Sequence, residues 1–158
     1  MGERSFKVCN SPSHEGKTNE WLTPRWILEK LGEFDLDPCA YPNWITAKNH
    51  YYEGGLEQKW YGRVWLNPPY GRNIHLWLNR LEHHGNGVAL VFSRTETKWF
   101  QDLNFKAINF LKGRISFIST TNKKSTNAAN GSCLIAFGDN NINELLKFDG
   151  KIFFGGEL

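Results

Sequence analysis

The chain has 158 residues, a formal net charge of +3 and 22% charged residues, which are ordinary values for one globular domain. No apolar stretch approaches the length of about 18 residues that a membrane span requires, and Met1 to Lys17 is polar, unlike a signal peptide. Cys9, Cys39 and Cys133 are odd in number and far apart, so we expect reduced thiols in an intracellular protein and no metal site. The mild positive charge permits a nucleic-acid partner without requiring one.

Strands and helices are predicted to alternate through the first two-thirds of the chain. Residues 1–18 are expected to form a flexible arm. Thr23 and Pro24 predict the start of a helix, with Thr23 as its N-cap, and Gly32 predicts its end. The pattern then predicts strands at 34–37, 62–66 and 87–92, with a helix from 74 to about 85 and an irregular aromatic stretch at 41–60.

The last third of the chain predicts strands that crowd together with few helices between them. The pattern indicates strands at 107–111, 115–118, 133–137 and 151–154, short helices at 97–103 and 142–146, and a polar surface loop at 119–130. We therefore expect an antiparallel far edge on an open, mixed, mostly parallel α/β sheet, with helices on both faces and one domain over residues 19–158.

The stretch Asn67-Pro68-Pro69-Tyr70 follows an apolar strand and is closed by Gly71. Such a turn presents an amide, a proline carbonyl and an aromatic ring together at the carboxyl end of the strand. When a planar base carries an amino group, the two carbonyl oxygens can accept hydrogen bonds from both N–H groups of that amine while the aromatic ring stacks on the base. A plain Pro-Pro turn after a strand is the structural alternative.

A second polar segment ends the strand predicted at 34–37. Asp37 can accept a hydrogen bond from an amine or from hydroxyls, and the small residues Cys39 and Ala40 leave room for close approach of a ligand. Ligands of open α/β sheets bind outside the carboxyl ends of the strands, which favours a binding role. Asp37 followed by Pro38 could equally cap a turn, and Asp35 could be a solvated strand residue.

Six segments in this order resemble the phage-type DNA N-6-adenine methyltransferases, which use S-adenosylmethionine. The first three are a Trp-x-Thr-Pro opening at 21–24, Asp-Pro-Cys-Ala at 37–40 and Gly-Leu…Trp at 55–60. The last three are Asn-Pro-Pro-Tyr at 67–70, Arg-Thr-x-Thr-x-Trp-Phe at 94–100 and Gly-Arg-x-x-Phe at 113–117. The resemblance covers about residues 19–137. One departure is that the family usually has Asp before the Gly-Leu, where this chain has Gly54; Glu53 could substitute for that acid.

The resemblance implies a Rossmann-like methyltransferase fold, S-adenosylmethionine as cofactor, and transfer of its methyl group to the N-6 amine of a flipped-out adenine in double-stranded DNA. The catalytic residues implied are Asn67, Pro68, Pro69 and Tyr70. The cofactor residues implied are Trp21, Thr23, Pro24, Asp35, Asp37, Pro38, Cys39, Ala40, Glu53 and Asn67. No metal, membrane or protein partner is implied, and a phage or prophage protein acting in the bacterial cytoplasm, in restriction-modification, is expected.

Basic residues of the C-terminal half are the predicted DNA contacts. They are Arg94, Lys98, Arg114, Lys123 and Lys124, of which the two arginines match family positions. As scattered charges they could instead form a solvated face.

The sequence alone leaves two other functions open. Asn-Pro-Pro-Tyr serves planar amines generally, so cytosine N-4 or a glutamine amide could be the acceptor. The missing acid at Gly54 is the feature that favours a non-catalytic nucleic-acid-binding relative.

Overall fold

The protein has an α/β fold with a central sheet and a small second sheet. The structure is a computed structural model that describes residues 21–120, 125–128 and 130–156. Its strands are β1 (Trp21–Leu22), β2 (Leu36–Asp37), β3 (Asn49–His50), β4 (Val64–Leu66), β5 (Gly87–Phe92), β6 (Ala107–Leu111), β7 (Ser116–Ser119), β8 (Ser125–Asn127), β9 (Ser132–Phe137) and β10 (Gly150–Phe154). Its α-helices are α1 (Arg25–Leu31), α2 (Ile74–His84), α3 (Lys98–Gln101) and α4 (Ile142–Leu145). The predicted arm, residues 1–18, lies outside the described residues.

The central sheet has seven strands in the order β10-β6-β9-β5-β4-β2-β3. β3, β2, β4 and β5 run parallel, whereas β9 is antiparallel to both β5 and β6, and β10 is antiparallel to β6. The predicted antiparallel far edge is confirmed. The prediction of a mostly parallel sheet is confirmed in part: five of the seven described strands run in one direction, but three of the six pairings are antiparallel, because β9 lies between β5 and β6 and runs against both.

Both faces of the central sheet are buried, and helices cover each of them as predicted. Successive residues of β4 alternate between two clusters: Val64 and Leu66 pack with α2, while Trp65 packs with α1 and α4. This alternation is the two-residue period of a strand, and it explains why β4 and β5 are apolar throughout. The helical residues that complete the clusters are Ile74, Trp77, Leu78 and Leu81 from α2, with Ile27, Leu28 and Leu31 from α1 and Leu145 from α4.

The second sheet is antiparallel, with the strand order β1-β7-β8. β8 lies inside the segment 119–130, so the prediction of an uninterrupted loop is wrong there. Its three residues are all polar and show no apolar alternation. The strand forms because its backbone pairs with β7, where Ser116 opposes Asn127.

The start of α1 differs from the sequence prediction. Pro24, with φ −62° and ψ 142°, is the N-cap residue, and no side chain caps the helix. The prediction that Thr23 caps α1 is therefore wrong, and its hydroxyl is left for another partner. The end of α2 is as predicted, since Gly85 adopts φ +77° and donates its N–H to the Leu81 carbonyl at 2.9 Å.

Within the described ranges, none of the helices is long and apolar enough to cross a membrane. Among the same residues, the His, Cys, Asp and Glu side chains form no group of three or more that could hold a metal ion.

Candidate active site

The carboxyl ends of the parallel strands β2, β4 and β5 meet at one edge of the central sheet, where β1 of the small sheet adjoins them. A shallow pocket, open to solvent, lies at this edge. The structure brings five predicted residues to it: Trp21, Thr23, Asp37, Cys39 and Asn67. Its remaining lining residues were not predicted from the sequence, namely Leu22, Tyr41, Trp44, Thr46 and Trp65.

The Asp37 side chain forms an acidic wall of this pocket and is only 3% exposed. The Cys39 backbone N–H donates to its Oδ1 at 2.9 Å, and the Thr46 hydroxyl donates to its Oδ2. Burial raises the pKa of Asp37 to about 6 and outweighs these two hydrogen bonds, which favour the charged form. At neutral pH the pocket therefore holds a fixed, poorly solvated carboxylate with lone pairs left for a ligand.

The loop after Asp37 rests directly on the Gly-Leu…Trp segment. A Cβ added at Gly55 would lie 1.8 Å from the Pro38 carbonyl oxygen and 3.2 Å from the Trp77 ring. The Gly55 carbonyl in turn accepts the Trp60 indole N–H at 2.6 Å. Glycine at 55 thus lets two backbone segments touch directly after Asp37.

Gly55→Ala is expected to destabilise the protein by about 1–3 kcal/mol, the usual cost of overpacking, because the Pro38 backbone must move. Urea unfolding at pH 7 measures this change. Gly131→Ala is the matched control, since an added Cβ there meets nothing within 4 Å, and it should stay within about 0.5 kcal/mol of wild type. Equal stability of the two variants would contradict the close contact.

The Asn-Pro-Pro-Tyr turn begins where β4 ends. Asn67 lines the pocket, and its Nδ2 donates to the Thr23 hydroxyl oxygen at 3.3 Å. Pro68 is buried, and the Tyr70 ring stacks on Phe92 with 4.2 Å between ring centroids and 16° between planes. The turn is therefore anchored on both sides, by β1–α1 through Thr23 and by β5 through Phe92.

Tyr70 is held as a neutral phenol. Burial raises its pKa well above the ordinary value, and neighbouring Cys133 acts in the same direction. Burial also raises the pKa of Cys133 to about 12, so both groups keep their protons at neutral pH. Because Phe92 covers one face of the Tyr70 ring, only the opposite face is available for stacking.

Two aromatic lining residues come from the irregular stretch after β2. Trp44 donates its indole N–H to the Thr23 carbonyl at 3.0 Å, and the Arg25 guanidinium lies 4.0 Å from the centroid of the Trp44 ring. Tyr41 lines the pocket nearby. Aromatic enrichment without periodicity was the only sequence signal for these residues, and it did not say which rings face the pocket.

A family model described as DNA N-6-adenine-methyltransferase (Dam) matches residues 10–148. The chain belongs to this family. A DNA N-6-adenine-methyltransferase of Escherichia phage T1 is 26% identical over 160 residues, an alignment that covers 84% of this chain and 66% of that relative. The chain thus spans just under two-thirds of the length of this curated relative. No solved structure matches the chain significantly.

The match to the DNA N-6-adenine-methyltransferase family confirms the resemblance drawn from the six sequence segments. Most of the predicted cofactor residues lie in or beside the pocket. Pro24, Pro38 and Ala40 are buried in the segments that carry its walls without lining it themselves.

Two predicted cofactor residues lie outside the lining of this pocket. Asp35 precedes β2, at the opposite end of that strand, where its carboxylate accepts the Arg63 backbone N–H at 2.8 Å and lies 3.7 Å from Lys48 Nζ. Glu53 follows β3 on an exposed turn, and its carbonyl accepts from the Gln58 amide at 2.7 Å. Gly54, where the Dam family usually has Asp, adopts a left-handed φ of +60° that favours glycine.

The predicted DNA contacts are exposed, and each described one has a partner within the chain. Arg94 pairs with Glu96 at 2.7 Å, Lys98 pairs with Asp102, and Arg114 Nη1 donates to the Ala128 carbonyl at 3.2 Å. Arg94 follows β5 and Arg114 follows β6, and these two strands run in the same direction because each is antiparallel to β9. Both arginines therefore follow strands that end at the edge carrying the pocket. Lys123 and Lys124 lie outside the described residues.

Proposed function

We propose that this Dam-family chain transfers a methyl group from S-adenosylmethionine to the exocyclic N-6 amine of an adenine in DNA. The observation that carries the proposal is the placement of Asn67, at the start of the Asn-Pro-Pro-Tyr turn, in the wall of the pocket that also contains Asp37. The proposed donor and acceptor sites would thus lie at one edge of the sheet. We also assign the chain a Rossmann-like methyltransferase fold, supported by its parallel half-sheet with helices on both faces.

The residues of the pocket fit S-adenosylmethionine by the chemistry of their donors and acceptors. The Asp37 carboxylate would accept from the cofactor's ammonium group or hydroxyls, since its oxygens keep lone pairs beyond the bonds from Cys39 and Thr46. Trp21 and Tyr41 also line the pocket, and aromatic rings of this kind can attract a cation or stack on a purine, whereas the Arg25 guanidinium already covers one face of Trp44. Bound there, S-adenosylmethionine would supply a methyl group activated on a positively charged sulfonium.

The turn prepares the acceptor amine. The nitrogen of an adenine amine shares its lone pair with the ring, so it is a weak nucleophile in the planar form. Asn67 Oδ1 and the Pro68 carbonyl would each accept one of its N–H bonds, which favours a pyramidal nitrogen and stabilises the positive charge that develops on it. This is positioning combined with electrostatic stabilisation. As the N–C bond forms, the bond between the methyl group and sulfur would break and leave a neutral thioether, and the methylated amine would then lose one proton to water.

Tyr70 would hold the base through the ring face opposite Phe92, which acts as a rigid backing for the stack. An adenine inside a duplex cannot reach this turn, so the nucleotide must flip out of the helix. Pro69 has a fixed φ and stiffens the turn, so less backbone conformational entropy would be lost when the base binds.

Arg94 and Arg114 would contact DNA phosphates beside the pocket, with Lys98 on the adjoining helix. The ion pairs of Arg94 and Lys98 are exposed, and such pairs contribute at most about 1 kcal/mol, so a phosphate can replace the acidic partner. Lys123 and Lys124 remain proposed contacts of the same kind.

A methyl-transfer assay tests the proposal directly. Purified protein is incubated with duplex DNA and S-adenosylmethionine carrying a tritiated methyl group, and the digested nucleosides are identified by mass spectrometry. We expect the label in N-6-methyladenine. Label in N-4-methylcytosine would overturn the choice of acceptor, and a folded protein that binds DNA without binding S-adenosylmethionine would overturn the enzymatic function.

A further inference from the structure

The Thr23 hydroxyl contacts Asn67 across 44 residues of sequence. Asn67 Nδ2 donates to Thr23 Oγ1 at 3.3 Å, and Thr23 itself is only 3% exposed. The same hydroxyl does not cap α1, because no side chain caps that helix. The contact therefore uses a buried polar group for which helix capping gives no role.

The orientation of the Asn67 amide decides what it offers to a ligand. A primary amide presents an acceptor oxygen on one side and a two-donor nitrogen on the other. Its terminal torsion is broad and roughly two-fold, so the side chain by itself hardly prefers either orientation. An amino group brings N–H donors, and only the orientation with Oδ1 toward the pocket can accept them.

The bond to Thr23 satisfies Nδ2 in the orientation that an amino group requires. With Nδ2 directed at Thr23 Oγ1, the Oδ1 atom points to the other side of the amide. A threonine hydroxyl could also donate to Oδ1, but the N–H donors of the amine favour Oδ1 on their side, and Thr23 then keeps Nδ2 hydrogen-bonded. The same bond polarises the amide and strengthens Oδ1 as an acceptor.

The backbone of Thr23 is restrained by several contacts. Its backbone carbonyl accepts the Trp44 indole N–H at 3.0 Å, and the residue lies between β1, which pairs with β7, and the N-cap of α1. The Arg25 guanidinium covers the Trp44 ring and fixes it in turn. Backbone movement that would separate Thr23 from Asn67 is thus restrained from three directions.

We propose that Thr23 is a positioning residue for methyl transfer, which orients the Asn67 amide so that Oδ1 faces the acceptor amine. This inference rests on the proposed function and adds a residue that acts through Asn67. It differs from the expectation that Thr23 binds the cofactor, because it places the effect of Thr23 on turnover and leaves cofactor affinity unchanged.

Thr23→Val and Thr23→Ser are the variants that test it. Valine keeps the shape of the side chain and offers Nδ2 no acceptor, so the amide must leave a half-buried donor unsatisfied whenever Oδ1 faces the amine, and kcat is expected to fall about tenfold. Serine retains the hydroxyl and is expected to keep kcat within about threefold of wild type. The dissociation constant of S-adenosylmethionine, measured by calorimetry, is expected to stay within about twofold in both variants.

A second readout does not depend on activity. The side-chain ¹H–¹⁵N signals of Asn67, identified by their loss in Asn67→Ala, are expected to shift in Thr23→Val and to stay close to wild type in Thr23→Ser. If Thr23→Val does not fold, Thr23→Ala removes the hydroxyl without adding branched bulk and is measured in its place.

The outcomes separate this inference from the proposed function. Unchanged kcat and Asn67 signals in Thr23→Val would overturn the positioning role, and weaker cofactor binding at unchanged kcat would make Thr23 a cofactor ligand instead. Absence of transfer by the wild-type protein would overturn the proposed function, and unshifted Asn67 signals in Thr23→Val would then overturn the Thr23 contact independently.

Discussion

Asn67→Ala is expected to reduce methyl transfer by about 10²–10³-fold, the range found when one preorganised group that stabilises developing charge is removed. Alanine deletes Oδ1, which is proposed to accept one N–H of the target amine. The turn itself should persist, because Pro68 stays buried and the Tyr70–Phe92 stack does not involve Asn67. The measurement is the single-turnover rate of label transfer to duplex DNA.

Cofactor affinity distinguishes the role of Asn67 from general damage to the pocket. Asn67→Ala is expected to bind S-adenosylmethionine within a few-fold of wild type, because the acidic wall formed by Asp37 is untouched. Asn79→Ala, on the exposed face of α2, is the matched control and should turn over like wild type. Near-normal transfer by Asn67→Ala would exclude the proposed mechanism.

The ends of the strands could be predicted from the sequence because polar residues follow apolar runs there. Asn67 comes directly after the apolar run Val64–Leu66, Asp37 ends the alternating segment Phe34-Asp35-Leu36, and parallel strands carry their carboxyl ends to the same edge. Their presence in one pocket lining therefore follows from local pattern plus one topological rule. The antiparallel far edge was predictable for a similar reason, since short connections leave no room for helical crossovers.

The parts of the site that could not be predicted from the sequence depend on tertiary contacts, which leave no local sequence pattern. β1 and β3 have two residues each, too few to show alternation. Thr46 reaches Asp37 from an irregular segment, and Thr23 meets Asn67 from the start of the small sheet. The sequence suggested a helix cap for Thr23 because Thr before Pro is typical of one, but the tertiary contact with Asn67 uses that hydroxyl instead.

Asp37→Asn is expected to weaken S-adenosylmethionine binding by about 10- to 100-fold, since a hydrogen bond to a charged group contributes about 1.5–3 kcal/mol. Asparagine keeps an acceptor for the Cys39 N–H and offers Thr46 a donor, so the loop should keep its shape. Calorimetry across pH 5–8 provides the test. Wild-type affinity should fall as the pH drops through about 6, where Asp37 takes up its proton, whereas the variant should show no such step. Equal affinity of the two proteins at pH 7.5 would leave Asp37 with a structural role alone.

The same substitution should make the fold less sensitive to pH. The pKa of Asp37 is about 6 in the folded chain against an ordinary value of 3.8, so between these pH values the folded state binds more protons than the unfolded state. Stability from this group is therefore present at low pH and is lost as the pH rises through about 6, by about 3 kcal/mol in all. Urea unfolding at pH 4 and pH 7 should show wild type losing most of that amount relative to Asp37→Asn, because other titrating groups cancel in the comparison. Parallel pH profiles would mean that Asp37 is solvated. A loss of this size would mean that the protein keeps a destabilising buried carboxylate where a neutral amide would fold better, which is the pattern expected of a residue retained for binding.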